Sequence, residues 1–240
     1  TDNPANKTVQ CDGLGNTAEL NNWLANNGGA TATDVCSGVT WSNNFTGLSD
    51  LCGATGSATV IFTATDACGN PRETVPVTFT IEDTEDPTAS NPADTNVQCF
   101  SAIPASDIDV VIDEADNCGT PTVAFLSESN NGGIGSTVSP YVLTRIYNIS
   151  DACGNDIDVT HTITVIDDEA PTITCPVNIT RNNDAGKCGA TVTIVNPTAL
   201  DNCSSSFTFD GTRSDALALN AEYPVGTTTR TWTATDAAGN

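Results

Sequence analysis

The sequence predicts an all-β protein made of tandem antiparallel β-sandwich repeats, because one phrase and one strand pattern recur along it. The phrase T-A-T-D-A-C-G-N returns as N-I-S-D-A-C-G-N and then as T-A-T-D-A-A-G-N, with its aspartates at Asp66, Asp151 and Asp236. These aspartates are 85 residues apart each time. A fixed period of this length indicates serial copies of one small domain. Short Val-, Ile- and Thr-rich segments with period-two alternation, broken by Gly, Asn, Asp and Pro, are typical of sandwich strands.

Three further landmarks keep this period and divide the chain. Turns of the type D-x-C end at Cys36, Cys118 and Cys203, and acidic segments ending in proline occupy 81–87 and 165–171. Short V-Q-C or I-T-C strands follow the acidic segments. We therefore place the repeats at 1–86, 87–170 and 171–240.

The alternation also predicts which side chains form the core. In the last strand of repeat 2, Val159, Ile163 and Val165 share one face with His161. Aromatic residues recur four positions before the repeated aspartate, and recurrent aromatics in strands are expected to fill the core. These residues are Phe62, Tyr147 and Trp232.

Repeat 1 carries one short helical insertion. Asn16 or Thr17 can cap its start, and Gly28-Gly29 can end it. The apolar residues at helical spacing are Leu20, Trp23 and Leu24. We expect a short helix that covers the bottom of the sandwich.

The charge of the chain excludes several classes of partner. Thirty acidic residues stand against seven basic ones, for a formal net charge of -23. Binding of nucleic acid requires a basic footprint that seven scattered cations cannot form. No apolar run approaches the ~18–20 residues that a membrane span needs. The partner that such a surface attracts is a cation, above all calcium outside the cell.

The ten cysteines predict disulfides and an extracellular location. Zinc is the alternative, yet the chain has no C-x-x-C pair and a single histidine, His161. Disulfides form and persist in oxidising compartments. The lone histidine lies on the apolar-rich face of a strand, so we expect no catalytic residues and no enzymatic activity.

At this point the motifs resemble a known family. T-A-T-D-A-x-G-N, D-N-C, I-T-C-P and G-K-C-G-A are similar to the hyalin (HYR) repeats, which are immunoglobulin-like modules of extracellular proteins. The Cys-rich form, with V-Q-C-D-G-L-G-N and D-A-C-G-N, resembles repeats of very large surface adhesins and filament proteins of Bacteroidota. The resemblance covers the whole chain and implies an adhesive or structural role at the cell surface. Repeat 2 departs from it by lacking a counterpart of Cys52.

An immunoglobulin topology would bring acidic groups together at each repeat junction. The D-N-C turn would join strands B and C and the D-A-x-G-N turn strands F and G, both at the end where the acidic linker arrives. Calcium takes six to eight oxygen ligands, so we expect a calcium site at each junction. The alternative is that Asp and Asn occur there because turns favour them. The expected ligands are Asp83, Glu85, Asp116, Asp151 and Asn155 at the first junction, and Asp167, Glu169, Asp201, Asp236 and Asn240 at the second.

The same topology implies a set of disulfides within repeats. Cysteines in adjacent turns of one repeat should pair, Cys188 is expected to pair with a cysteine beyond residue 240, and Cys99 is left over. The expected pairs are Cys36–Cys68, Cys118–Cys153, Cys11–Cys52 and Cys175–Cys203.

Repeat 3 is expected to be incomplete, because no strand follows its D-A-A-G-N phrase. The missing strand would come from a continuing polypeptide or, by strand donation, from another copy of the protein. The resulting hypothesis is a disulfide- and calcium-stiffened rod or filament of a surface adhesin, with neighbouring repeats or copies as partners. The alternative is a binding module whose loops recognise a glycan or a protein.

Overall fold

The computed structural model describes residues 2–35 and 38–240, and almost all of its regular structure is β-strand. This confirms the expected all-β, immunoglobulin-like class with one helix. The helix α1 spans Thr17–Ala25, and short 3-10 turns cover Asn27–Gly29, Phe100–Ala102 and Ile108–Val110. The strands are β1 (Lys7–Gln10), β2 (Val39–Asn43), β3 (Gly56–Val60), β4 (Phe62–Asp66), β5 (Pro71–Glu73), β6 (Val77–Glu82), β7 (Thr95–Val97), β8 (Thr122–Asn130), β9 (Tyr141–Ser150), β10 (Asp156–Val165), β11 (Thr172–Thr174), β12 (Gly189–Ala190), β13 (Thr198–Leu200), β14 (Thr208–Arg213), β15 (Tyr223–Pro224) and β16 (Arg230–Thr235).

Repeat 1 forms two three-stranded sheets around a dense core. One sheet has the order β1-β6-β3 and the other β2-β4-β5. Strand β6 pairs in parallel with β1 and antiparallel with β3, so it lies in the middle of its sheet. Its alternate residues Val77, Phe79 and Ile81 are buried and pack with Val60 and Phe62. The period-two alternation of β6 therefore places these apolar residues in the core.

The helix α1 covers this core. Leu20 and Trp23 are buried, and the Trp23 ring lies 5.4 Å from the rings of both Phe62 and Phe79. The Trp23 indole N–H donates to the Ala5 carbonyl at 3.2 Å. Asn16 occupies the N-cap position, as one of the two predicted alternatives, but its side chain makes no capping hydrogen bond and instead donates to the Gln10 carbonyl and accepts from the Asp12 N–H. The start of helix α1 is therefore held by hydrogen bonds to the end of β1 and the residues after it, instead of by a side-chain cap.

Repeat 2 is organised around two long strands. Its sheet has the order β7-β10-β9-β8, and β10 pairs in parallel with β7. Tyr147 and Ile149 on β9 are fully buried and cluster with Val159 on β10. His161 is also buried, with its Nε2 2.9 Å from the Thr95 hydroxyl. The core position predicted for Tyr147 is confirmed.

Repeat 3 differs, since its strands form three two-stranded sheets. The pairs are β11 with β13, β12 with β15, and β14 with β16, all antiparallel. Between residues 171 and 240, all of them described, Ala190 is the only buried apolar residue other than proline and glycine. Trp232 occupies the position of Phe62 and Tyr147 but remains partly exposed. Trp232 is thus only partly buried, although a core position was predicted for it.

The chain divides into two compact units that do not follow the repeat boundaries. Unit 1 comprises Thr1–Pro92, Asp107–Ser127 and Ile146–Thr160, and unit 2 comprises Ala93–Ser106, Glu128–Arg145 and His161–Asn240. Each unit contains one acidic linker together with turns of the repeat that follows it. The division into repeats at 1–86, 87–170 and 171–240 stays a prediction.

Candidate functional site

Unit 1 contains a cluster of three aspartates, here called the first acidic cluster. Asp83 follows β6 in the linker, Asp116 lies in the D-N-C turn and Asp151 follows β9. One carboxylate oxygen of each lies within 4.8 Å of the others. The linker and the two turns therefore lie close together.

The repeated phrase builds the turn that carries Asp151. Its Oδ1 accepts backbone N–H groups of Cys153, Gly154 and Asn155 at 2.7, 2.6 and 3.0 Å, and its Oδ2 accepts the Asn155 amide at 2.7 Å. Gly154 has a φ of 96°, a left-handed conformation in which glycine carries no steric cost. The Asn155 amide also donates to the Asp83 carbonyl at 3.3 Å. The phrase D-A-C-G-N is thus a carboxylate-centred turn that is bonded to the linker.

Some carboxylate oxygens of the first acidic cluster lack hydrogen-bond partners. Asp83 Oδ2 and Asp116 Oδ1 are buried and have no hydrogen-bond partner among the described residues. Burial, together with the charges of Asp116 and Asp151, raises the pKa of Asp83. Burial alone would also raise the pKa of Asp151, but the hydrogen bonds from its turn outweigh it and lower that pKa. The cluster therefore holds carboxylates whose mutual repulsion a cation would relieve.

Unit 2 contains a related group, here called the second acidic cluster, in which Asp167 and Asp201 lie together and the charge of Asp236 also acts on Asp167. Oxygens of Asp167 and Asp201 lie within 4.8 Å of each other and of the Cys203 sulfur. That sulfur belongs to a disulfide, so it is not a thiolate ligand. Asp201 Oδ2 is buried without a partner among the described residues. Burial and the charges of Asp201 and Asp236 raise the pKa of Asp167.

The turn in the second cluster repeats the contacts of the first. Asp236 Oδ1 accepts the N–H groups of Gly239 and Asn240 at 2.7 and 2.9 Å. The Asn240 amide donates to the Asp167 carbonyl at 3.0 Å and to Asp236 Oδ2 at 3.2 Å. Gly239 has a φ of 95°. The same D-A-x-G-N turn, bonded to the preceding linker, therefore occurs in both units.

The remaining predicted ligands take other roles. The side chains of Glu85 and Glu169 are exposed and lie outside both groups, and their backbone N–H groups point to Asp83 and Asp167 at 3.4 and 3.3 Å. Asn155 and Asn240 lie at the clusters but donate their amide hydrogens within them. These four residues therefore shape the clusters, whereas the aspartates supply the oxygens that could bind a cation.

The disulfides correct the pairing expected from the sequence. The observed bridges are Cys11–Cys118, Cys52–Cys153 and Cys99–Cys203. The expected pairs Cys118–Cys153, Cys11–Cys52 and Cys175–Cys203 are therefore wrong, and Cys99 is not left over. The expected pair Cys36–Cys68 involves Cys36, which lies outside the described residues.

The error has a structural cause. Pairing within a repeat assumed that cysteines of adjacent turns face each other, whereas each turn cysteine faces the preceding repeat instead. Two V-Q-C strands are followed by a D-N-C turn in the next repeat, at separations of 107 and 104 residues. That near-constant spacing is the sequence signal that could have revealed the bridges. Among the described residues, Cys68, Cys175 and Cys188 are free and exposed.

Comparison with known proteins supports the HYR-like character of these repeats. A family model described as the HYR domain matches residues 166–240. No helix within the described residues has the length and hydropathy of a membrane span.

Two hyalins are similar over most of the chain. Hyalin of Strongylocentrotus purpuratus is 31% identical over 191 residues, which cover 77% of this chain and 15% of that protein. Hyalin of Lytechinus variegatus is 32% identical over 217 residues, which cover 88% of this chain and 39% of that protein. The chain thus spans less than half the length of either relative. Taken with the repeated acidic turns, these matches support HYR-like repeats in this chain.

Proposed function

We propose that this chain is a structural and adhesive repeat region of an extracellular filament or surface protein, stiffened at its junctions by disulfides and calcium. The observation that carries the proposal is the placement of the bridges. All three disulfides among the described residues connect a cysteine of one predicted repeat to a cysteine of the next. An isolated binding module or an enzyme has no need for such links between successive modules.

The bridges suit a chain that carries load. Cys11 and Cys118 are buried, and Cys11–Cys118 and Cys52–Cys153 connect the same two predicted repeats at two points. Two covalent connections oppose bending and separation more strongly than a single flexible linker does. The Asn117 amide adds a hydrogen bond to the Cys11 carbonyl at 2.9 Å. A junction of this kind favours a stiff rod as the form of the assembly.

Calcium is the proposed second component of each junction. Each acidic cluster supplies aspartate oxygens from a linker and from two turns, and calcium prefers such hard oxygen ligands with water and carbonyls to complete the shell. The buried, unpartnered oxygens of Asp83, Asp116 and Asp201 provide positions at which an ion would replace lost hydration. The ion would also neutralise carboxylates that otherwise repel.

The test of this function compares the flexibility of the chain with and without calcium. Small-angle scattering of residues 1–240 in calcium and in chelator should give a smaller maximum dimension in chelator, because the junctions bend once the carboxylates repel. Circular dichroism should show unchanged strand content, since disulfides and core remain.

The control is the double variant Asp83→Asn, Asp167→Asn, which should no longer respond to calcium. A maximum dimension that is unaffected by chelation would overturn calcium as the stiffener. Peptide mapping without reduction tests the disulfides separately, and pairing within repeats would overturn the covalent part of the proposal.

A further inference from the structure

Repeat 2 buries the single histidine of the chain at the contact between two strands. His161 on β10 is 3% exposed, and its Nε2 lies 2.9 Å from the hydroxyl oxygen of Thr95 on β7. Its Nδ1 is buried and has no hydrogen-bond partner among the described residues. Strand β7 is only three residues long, lies at the edge of its sheet and pairs in parallel with β10. The imidazole therefore joins a short edge strand to an inner strand of the sheet.

Repeat 1 shows that the fold forms without a basic side chain at this place. Counted from the repeated aspartate, with its 85-residue period, Arg145 corresponds to Val60. Counted back from the proline that ends each acidic linker, 84 residues apart, His161 corresponds to Val77. The two valines lie opposite each other in the pairing of β3 with β6, and both are buried. Repeat 2 thus buries two basic side chains where repeat 1 buries an apolar pair.

The arginine of this pair has acceptors for its charge, whereas the histidine does not. Arg145 Nε donates to the Glu128 carboxylate at 3.2 Å, and Arg145 Nη2 donates to the Pro104 carbonyl at 2.8 Å. Burial and the charge of Arg145 on β9 lower the pKa of His161, and they outweigh the opposite effects of Asp94, next to β7, and of a backbone carbonyl. A second ring proton would therefore lie buried at Nδ1, near a guanidinium and without an acceptor.

We propose that His161 is an acid-sensitive latch, which holds β7 on the sheet while its imidazole is neutral and releases β7 when the imidazole gains a proton. A buried imidazolium regains hydration most easily if the shortest strand beside it moves away, and that strand is β7. The Cys99–Cys203 bridge begins two residues after β7, so the released strand remains tethered and the opening stays local. This inference concerns His161 and β7 alone and does not depend on calcium or on a stiff rod.

The contact between β7 and β10 should weaken in mild acid. The pKa of His161 is lowered while β7 is bound, and the usual value of 6.5 applies once the ring is hydrated. The full stability of the contact is therefore present above pH 6.5 and is lost as the pH falls below that value. One pH unit lower, at about pH 5.5, the population of the open state should rise about five- to tenfold. The chain has no other histidine that titrates in this window.

Hydrogen exchange, measured by NMR spectroscopy on the 240-residue chain, tests the latch. After correction for intrinsic exchange rates, the amides of β7 should lose about five- to tenfold protection between about pH 7.5 and 5.5. The Ile166 N–H, which donates to the Val97 carbonyl at 3.0 Å, should lose protection with them. The internal control is the parallel pair of β1 with β6 in repeat 1, where Val77 replaces the histidine, and its protection should not change.

Two substitutions separate the histidine from other effects of acid. His161→Val copies repeat 1 and should keep β7 equally protected at both pH values. Thr95→Ser keeps the hydroxyl group opposite the ring, so it is a matched control that should respond to acid as the native chain does. An acid response that persists in His161→Val would overturn the proposal, and so would its loss in both variants.

The native chain also offers a test that needs no substitution. Because the chain has one histidine, the Cε1 proton of His161 gives a resonance of its own. It should titrate below pH 6.5, in step with the loss of protection in β7. Titration at 6.5 or above, or titration during which the β7 amides stay protected, would show that the imidazole does not control this strand.

Discussion

The two acidic clusters share one turn but differ in their covalent support. In the first, Cys153 of the turn is bonded to Cys52, whereas in the second Ala238 holds the equivalent position. Nevertheless, Asp151 Oδ1 accepts the backbone N–H groups of Gly154 and Asn155, as Asp236 Oδ1 accepts those of the equivalent residues in its own turn. The corresponding hydrogen-bond lengths agree within 0.1 Å. The turn is therefore specified by its carboxylate, its glycine and its asparagine. The disulfide adds strength without setting the geometry.

The difference between the clusters also predicts unequal resistance to unfolding. The first is accompanied by two bridges and the second by Cys99–Cys203 alone. A disulfide stabilises by limiting the unfolded chain, so a bridge matters most where no other one constrains the same loop. The predictions below test this comparison, beginning with the largest expected effect.

Removal of the single bridge at the second cluster should have the largest effect. Cys99→Ser with Cys203→Ser should lower the free energy of unfolding by about 2–5 kcal/mol. Cys52→Ser with Cys153→Ser should lower it less, because Cys11–Cys118 still closes most of the same loop. Chemical denaturation followed by circular dichroism measures both, and equal losses would contradict the comparison.

Calcium should bind once at each cluster and stabilise each unit by a similar amount. At a free concentration one hundred times the dissociation constant, binding contributes about 2.7 kcal/mol. Calorimetric titration should give two sites in the native chain, one in Asp83→Asn and one in Asp167→Asn. Asp107 is exposed and lies outside both clusters, so Asp107→Asn is a matched control that should retain both calcium sites. Two sites in either cluster variant would show that the aspartates do not bind calcium.

The smallest expected effect is the change of stability with pH, measured in chelator. The pKa of Asp83 is raised above its usual 3.8, so the folded state holds this proton more tightly than the unfolded state does. Ionisation of Asp83 therefore costs stability as the pH rises through the window above about 3.8, and Asp83→Asn should become more stable than the native protein there. In calcium, the native protein should be more stable than Asp83→Asn.

Asp151 should show the opposite dependence of stability on pH. Its pKa is lowered, so its contribution is present above 3.8 and is lost as the pH falls through its folded pKa. Asp151→Asn should therefore be less stable than the native protein at neutral pH, and the difference should shrink in acid. Thermal unfolding between pH 3 and 7 measures both variants, and parallel pH profiles for Asp83→Asn and Asp151→Asn would contradict the assigned roles.

The sequence by itself determined the repeat period, the strand faces and the acidic composition of each cluster. These features depend on local rules, since alternation sets the faces of a strand and D-A-x-G-N sets a turn around its own aspartate. The burial of Phe62 and Tyr147 and the proximity of Asp83, Asp116 and Asp151 followed from those rules and the fold class.

Only the tertiary structure decided which cysteines pair and how complete each core is. A thiol pairs with whichever thiol the fold brings within about 6 Å in Cα distance, and sequence spacing does not show whether that neighbour lies in the same repeat or the next. The partial exposure of Trp232 has a similar origin, because a core side chain is buried only when a strand packs beside it. Local sequence places the residue on the correct face, and the packing of distant segments decides what covers that face.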